Sequence, residues 1–453
     1  MTSNEVSRRS NRRKPRRTVD PARELAFEIM RDIADGAYAN LVLNEKLTAA
    51  GFDRQSAAFV TELVSGTTRM RGTYDRIIAS ASGRELNTLQ PALVDVLRLG
   101  THQLLGMRVP THAAVNSTVD LAATRVGERV AGITNAIIRK VSALDLAAWI
   151  DTLSTHLDFL DGLSLRYAHP RWIVEAYAKL LPEDELALAL AANNEPAIPN
   201  LTVRPGLASR DELDGIPNQY SPWGVSRTGN PAQLKAVREG RAGVQDEGSQ
   251  LVCLAGSRTP RIAGPWLDLC AGPGGKSALL RGLAGESGEY FIANEVHPHR
   301  ARLVDSALSA YPSKHQVMVC DGTQPAWRSE TFALTMADVP CSGIGALRRR
   351  AEARWRHTSE IIDELVPLQK RLLEVAIESA RPGGIVVYAT CSPHESETVA
   401  VVRAVADERV AILPASRFLP EVPNSIRDQD FVQLWPHRHG TDAMFLAVLQ
   451  KRA

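Results

Sequence analysis

The chain has 453 residues, 44% of them hydrophobic and 23% charged, with a formal net charge of +2. It is too long for one ordinary domain and has the composition of a water-soluble globular protein. No run approaches eighteen apolar residues and no apolar stretch follows the basic N-terminus, which excludes a transmembrane span and an ordinary secretory signal and leaves a cytoplasmic location as the expectation.

In chain order, residues 8–17 (RRSNRRKPRR) carry seven Arg/Lys, so residues 1–17 hold +6 and the rest sums to about −4. Residues 1–19 read as a disordered basic tail suited to phosphate backbones. Asp20 can cap and Pro21 can open a helix, with Leu25, Ile29 and Ile33 on one face. Helical stretches continue without strand-like alternation, so 20–145 is expected to be an all-α domain. Residues 146–240 read as a linker and small α+β module, with PRWIVEAYAKLL and ELALALAANN helical and IPNLTVRPG a short strand.

From 241 to 453 the pattern alternates. WLDLC, YFIANEV, HQVMVCD, FALTMADVP and GIVVYATCS are apolar runs of strand length separated by helical stretches, and AMFLAVLQK adds one more. This predicts a Rossmann-like α/β domain whose parallel sheet is covered on both faces, with ligands beyond the carboxyl ends of its strands. The five cysteines, 253, 270, 320, 341 and 391, are dispersed and include no C-x-x-C pair. A disulfide framework and a structural metal site are therefore not expected.

LDLCAGPGGKSALL (267–280) resembles a phosphate-binding loop ending in Gly275, Lys276 and Ser277, but that motif needs glycine where Cys270 stands. The alternative is the first strand and turn of a doubly wound domain, where Gly272, Gly274 and Gly275 let the backbone approach a ligand. The other strand ends then matter. Glu295 follows the turn by about twenty residues, the place of a ribose-binding carboxylate. Asp321 ends the third strand and can meet an adenine amino group. Carboxylates suit a nucleoside bearing a cation rather than a triphosphate, and S-adenosylmethionine is such a ligand. Two further strands end in ADVPCSGIG (337–345) and ATCSPHESE (389–397), each presenting a cysteine. A thiolate beside a methyl donor fits one problem well. Carbon 5 of a pyrimidine becomes nucleophilic once a thiolate adds at carbon 6. Asp338, near ring N3, would stabilise the developing charge. Which cysteine attacks stays open on these grounds.

VQDEGSQLV (244–252), LDLCAGPGGKS, ADVPCSGIG, ATCSPHESE and HGTDAMF (439–445) resemble the motifs of the RNA 5-methylcytosine methyltransferases, the NOL1/NOP2/Sun group. With its helical front, similar to the RNA-binding NusB fold, the chain resembles the bacterial Sun/Fmu type that acts on 16S rRNA. The resemblance implies that Cys270, Ala271, Gly272, Pro273, Gly274, Gly275 and Lys276 contact S-adenosylmethionine, that Glu295 holds its ribose and Asp321 its adenine. Asp338 would reach between cofactor and cytosine, Cys391 would be the nucleophile, and Cys341 would assist product release. The expected partner is RNA, 16S rRNA before full 30S assembly because a cytosine must be unstacked to reach a thiolate, and the chain is expected to act as a monomer. The same chemistry on tRNA, or a non-catalytic assembly factor, are the competing readings. RRRAEARWR (348–356) adds arginines expected to take phosphates, with Trp355 stacking a base.

Overall fold

The computed structural model describes residues 19–453. The basic tail expected over 1–19 lies, apart from Val19, outside the described residues. The chain divides into two compact units, the first ending at Ala168 and the second beginning at His169.

The first unit is helical. Its opening helix, Pro21–Ala34, starts as the sequence implies: Pro21 takes the first turn, and the Asp20 carboxylate accepts from the Arg23 amide at 2.9 Å. Ile29 is fully buried among Val60, Leu63, Tyr74 and Ile77, while Leu25 and Ile33 pack at the edge of that core. Arg98 is also buried there, its guanidinium donating to both Asp75 oxygens (2.6 and 2.7 Å) and to Asp95 (2.9 Å). A buried cation is tolerable only when its donors are matched in this way. The unit does not stop at residue 145. Helices Leu146–Ser154 and Phe159–Tyr167 belong to it. The Trp149 indole donates to the Val141 carbonyl (2.9 Å) and the Thr73 hydroxyl to that of Leu165 (2.6 Å). The sequence assigned these residues to the linker because it shows helical character without showing which core receives it.

The second unit opens with helices Arg171–Ala178 and Glu183–Ala192, followed by a small antiparallel sheet. That sheet is built from β1 (Asn200–Val203), β2 (Ile216–Pro217), β3 (Gly224–Ser226) and β4 (Ala242–Val244), in the order β2-β3-β1-β4. The large sheet contains β5 (Trp266–Asp268), β6 (Phe291–Asn294), β7 (His315–Met318), β8 (Phe332–Asp338), β9 (Ala380–Thr390), β10 (Val410–Leu413), β11 (Ile426–Arg427), β12 (Phe431–Gln433) and β13 (Phe445–Lys451). Their order is β11-β12-β13-β9-β8-β5-β6-β7, with β10 also paired to β13.

The five predicted strands β5 to β9 pair in parallel. The rest does not: β13 runs antiparallel to β9, and β10 and β12 are antiparallel to β13. The expectation of a parallel sheet therefore holds for one half only. Periodicity marks a buried strand but carries no direction, and the short polar β11 has no strong apolar signal. Chain order reverses at β5, which lies between β6 and β8. The crevice beyond the carboxyl ends of β5 and β8 is therefore the topological switch point.

Candidate active site

β5 delivers Asp268 and then the glycine turn. Asp268 is buried and one carboxylate oxygen accepts from the Ser277 hydroxyl at 2.6 Å. Its other oxygen, Oδ1, is buried without a hydrogen-bond partner among the described residues. Burial raises this carboxyl to about 7, although the Ser277 bond acts against the rise. Helix Gly275–Glu286 begins directly after Gly274, whose φ of +105° strains any L side chain. A Cβ on Gly274 would also come within 2.7 Å of the Ala307 Cβ. The helix thus packs close to its neighbour and aims its first amides into the crevice.

Glu295, one residue past β6, is 3% exposed. It accepts from the Gly272 and His297 amides, both at 3.0 Å. A Cβ on Gly272 would stand 2.1 Å from the Glu295 Oε2, so glycine is what lets loop and carboxylate meet. Asp321 is exposed and forms its hydrogen bonds within its own turn, accepting from the Thr323 amide (2.9 Å) and hydroxyl (2.8 Å). Those bonds hold its carboxyl below the usual carboxylate value. Asp338, at the end of β8, forms an ion pair with Lys276 at 2.9 Å. Burial works against the Lys276 charge, but the Asp338 carboxylate outweighs it and keeps the ammonium above its ordinary value.

Cys341 and Cys391 follow β8 and β9. The strands pair Asp338 with Ala389, and the Val339 amide donates to the Ala389 carbonyl at 3.1 Å, so the two loops leave the sheet together. Their sulfurs lie 3.4 Å apart. The hydrogen bond from the Cys341 thiol favours Cys391 as thiolate, with Lys276 and Arg350 adding to the effect against burial and Asp338, and the Cys391 value falls. Cys341 moves the other way, above its ordinary value, because its proton is held in that bond and it is buried. Cys270, by contrast, is pushed up chiefly by burial.

The structure therefore brings Lys276, Asp338, Cys341 and Cys391 into one cluster and joins Gly272 to Glu295. Asp321 stands on an exposed turn. Pro273 is exposed and follows a cis peptide bond, Ala271 is buried, and Gly275 has open space where a side chain would project.

Two groups were not foreseen. Glu397, fully buried, accepts from the Ser342 amide (2.7 Å) and hydroxyl (2.5 Å), the Ser392 hydroxyl (2.6 Å) and the Gln369 amide group (3.0 Å). Ser342 and Ser392 each follow a cysteine, so one carboxylate ties both cysteine loops. Asp246 and Asp442 both pair with Arg349, linking the start of helix Glu247–Arg258 to the loop after Cys341 and to the approach to β13. The acidic stretch PHESE and the TD of HGTDAMF are visible in the sequence, but only folding shows which serines and arginines they meet. Arg349 and Arg354 were expected to take phosphates. Instead, Arg349 serves this network, and Arg354 is fully buried, donating to the Asn194 side chain (2.8 Å) and the Asn193 carbonyl (3.2 Å). The charge run partly faces inward, which composition cannot reveal.

The switch-point crevice fits an S-adenosyl ligand. Such a molecule brings a cationic sulfonium and ammonium, a ribose diol and an adenine amino group. The switch point offers the carboxylates of Asp268, Glu295 and Asp338, the unpartnered Asp268 Oδ1, and the amides at the start of helix Gly275–Glu286.

Residues 258–450 match the family model described as 16S rRNA methyltransferase RsmB/F, and residues 20–143 match that of the NusB family. The "Putative methyltransferase Rv1407" of Mycobacterium tuberculosis is 43% identical over 449 residues, covering 96% of this chain and 98% of that protein. This chain belongs to the RsmB/F methyltransferase family. As an RsmB/F protein it is an S-adenosylmethionine-dependent RNA methyltransferase with a NusB-like front. The ribosomal RNA small subunit methyltransferase B of Vibrio cholerae is 28% identical over 411 residues, 87% of this chain and 89% of that protein. Among solved structures, PH0851 superposes with a TM-score of 0.81 at 21% identity, covering 96% of this chain and all of that one, which supports the fold. Among the described residues no helix is long and apolar enough to cross a membrane.

One prediction arises from this RsmB/F site directly. Because a nearby cation favours an anion, Lys276→Met is expected to raise the pH at which Cys391 becomes reactive. The wild-type Cys391 should titrate below an ordinary thiol, and its alkylation by iodoacetamide, followed by peptide mass spectrometry against pH, should shift upward in the variant. An unmoved or lowered midpoint would contradict the electrostatic role of Lys276.

Proposed function

We propose that this enzyme methylates carbon 5 of a cytosine in 16S rRNA, as a monomer and before the 30S subunit is fully assembled, through a covalent bond between Cys391 and carbon 6 of the base. The observation that carries this reading is the pair of sulfurs 3.4 Å apart beside the Lys276–Asp338 ion pair. The relatives that are named for the small ribosomal subunit RNA support the choice of substrate.

When bound, S-adenosylmethionine supplies an electrophilic methyl group, which carbon 5 of a resting cytosine is too poor a nucleophile to attack. The Cys391 thiolate overcomes this by bonding to carbon 6, which moves the electron pair of the ring double bond toward carbon 5. Asp338 takes the part of the acid near ring N3 that stabilises this developing charge. After carbon 5 is methylated, its proton leaves to a base, and the electrons of that C–H bond reform the double bond as Cys391 departs as thiolate. Cys341, beside Cys391, assists this last step. Lys276 keeps Asp338 in place and favours the thiolate before and after the cycle. A cytosine stacked in a helix would first have to be unstacked at a cost of a few kcal/mol, which is lowest in RNA that is not yet assembled.

Two measurements test the reading. Bisulfite sequencing of rRNA from cells lacking the gene should show loss of one 5-methylcytosine in 16S rRNA; loss in tRNA instead would redirect the substrate. In the purified protein, Asp321→Ala removes an exposed carboxylate, so folding should be unaffected while S-adenosylmethionine affinity falls roughly 10-fold, the size of one charge-assisted hydrogen bond. Calorimetry showing unchanged affinity would remove Asp321 from the adenine site.

A further inference from the structure

A cavity of about 340 Å³ in the second unit is not used by the chemistry above. One wall is the small sheet. Asn200 on β1 and Ser226 on β3 are directly paired in register, so both side chains project to the same side, and both line the cavity. Arg348, from the loop that follows Cys341, also lines it. Ile198, 52% exposed, and Pro436 supply apolar surface, and the exposed Glu195 also lines the cavity.

The polar groups here are poorly satisfied. The Ser226 hydroxyl reaches the Asn200 Oδ1 at 3.4 Å, and the Asn200 amide nitrogen reaches the Ile198 carbonyl at 3.5 Å, both at the long limit for a hydrogen bond. The Arg348 Nε is buried without a hydrogen-bond partner among the described residues. The Arg354 Nε likewise has no hydrogen-bond partner among the described residues, but its other nitrogens donate to Asn194 and Asn193, and Arg349 pairs with Asp246 and Asp442. The cavity also lies near the nucleophile along the chain. Gly345 donates to the Cys391 carbonyl at 2.9 Å, and Arg348 is three residues on, a span of at most about 11 Å.

We infer that this cavity receives an unstacked nucleobase of the RNA strand that flanks the target cytosine. The inference rests on the proposed action at an RNA cytosine. RNA is read in sequence through splayed bases whose edges are hydrogen-bonded and whose faces meet apolar or guanidinium surfaces. The cavity provides an amide, a hydroxyl and a guanidinium for the edge, and Ile198 and Pro436 for the faces. Its volume falls at the low end of small-ligand pockets, which run from about 300 to 1,000 Å³. Glu195 decides between base and phosphate: it repels a phosphate but accepts from an exocyclic amine. The cavity thus contributes to choosing which cytosine is methylated.

The test uses the full-length protein and 16S transcripts, then short oligonucleotides spanning the methylated cytosine with a single abasic site stepped through the flanking positions. One flanking abasic site is expected to lower kcat/KM roughly 10-fold, as loss of a single stacked base does elsewhere. Arg348→Met should cause a similar loss on intact RNA and become insensitive to that same abasic site, with S-adenosylmethionine affinity unchanged. Ile198→Asp, an exposed change that leaves the core intact, should reproduce the loss. If the losses from Arg348→Met and the abasic site multiply, or if no flanking position matters, the pocket is overturned while the methylation reading stands. If the wild-type protein methylates no RNA cytosine, the reading beneath it fails as well.

Discussion

Cys391→Ala is expected to abolish methyl transfer, by at least about 1,000-fold, and Cys341→Ala to leave the protein covalently joined to its RNA. The two sulfurs lie 3.4 Å apart, but their surroundings divide the work. The bond between them, with burial, raises Cys341, and the same bond lowers Cys391, which favours the thiolate at Cys391. The thiolate is the nucleophile, so its removal takes away the step that activates the ring, and loss of a nucleophile typically costs orders of magnitude. Without Cys341, addition and methylation still proceed, but breakdown of the adduct loses the group beside the departing sulfur. Denaturing electrophoresis of protein incubated with cofactor and labelled RNA would separate the cases. An adduct formed by Cys391→Ala and not by Cys341→Ala would reverse the assigned roles.

Glu397→Ala is expected to be the most damaging substitution away from the reacting atoms. The carboxylate accepts four hydrogen bonds in a fully buried setting, from Ser342 twice, Ser392 and Gln369. Truncation leaves those donors unpaired where water does not reach, and breaking such a network costs on the order of 3–5 kcal/mol. For a unit of this size that corresponds to a fall in Tm on the order of 10 °C. The effect on catalysis should exceed what instability explains, because Ser342 and Ser392 fix the positions of the adjoining cysteines. At temperatures where the variant remains folded, its Cys391 should alkylate with a midpoint nearer that of an ordinary thiol, as the bond from Cys341 loosens. A variant that melts like the wild type, or keeps the wild-type thiol titration, would show that Glu397 does not hold the pair.

The catalytic strands were legible because each is an apolar run ending in a small or polar residue, and because a glycine turn after the first has few structural uses. Cys341, Cys391, Asp338 and Lys276 could be named from that pattern and its family resemblance, and they are neighbours in space. Other features depend on contacts that a linear reading lacks. The antiparallel β13 has the same apolar signature as a parallel strand. The helices within residues 146–167 show helical character in the sequence, and contacts such as the Trp149 and Thr73 hydrogen bonds and the packing of Trp149 on the helical core attach them to the first unit. Arg354 looks like a surface cation until Asn193 and Asn194 are seen to enclose it. Glu397 is one of two acids in PHESE, distinguished by its burial and by the donors it meets.

Gly345 has a consequence for how reactivity is maintained. Its amide donates to the Cys391 carbonyl and its carbonyl accepts from the Ala443 amide, at 2.9 and 2.8 Å, and a methyl group there would fall 2.3 Å from the Ala443 oxygen. Main chain from three distant segments is thus stitched together at a point where no side chain fits. The backbone at Cys391 is held by the resting fold, and less of the ordering entropy has to be met when a flexible RNA arrives.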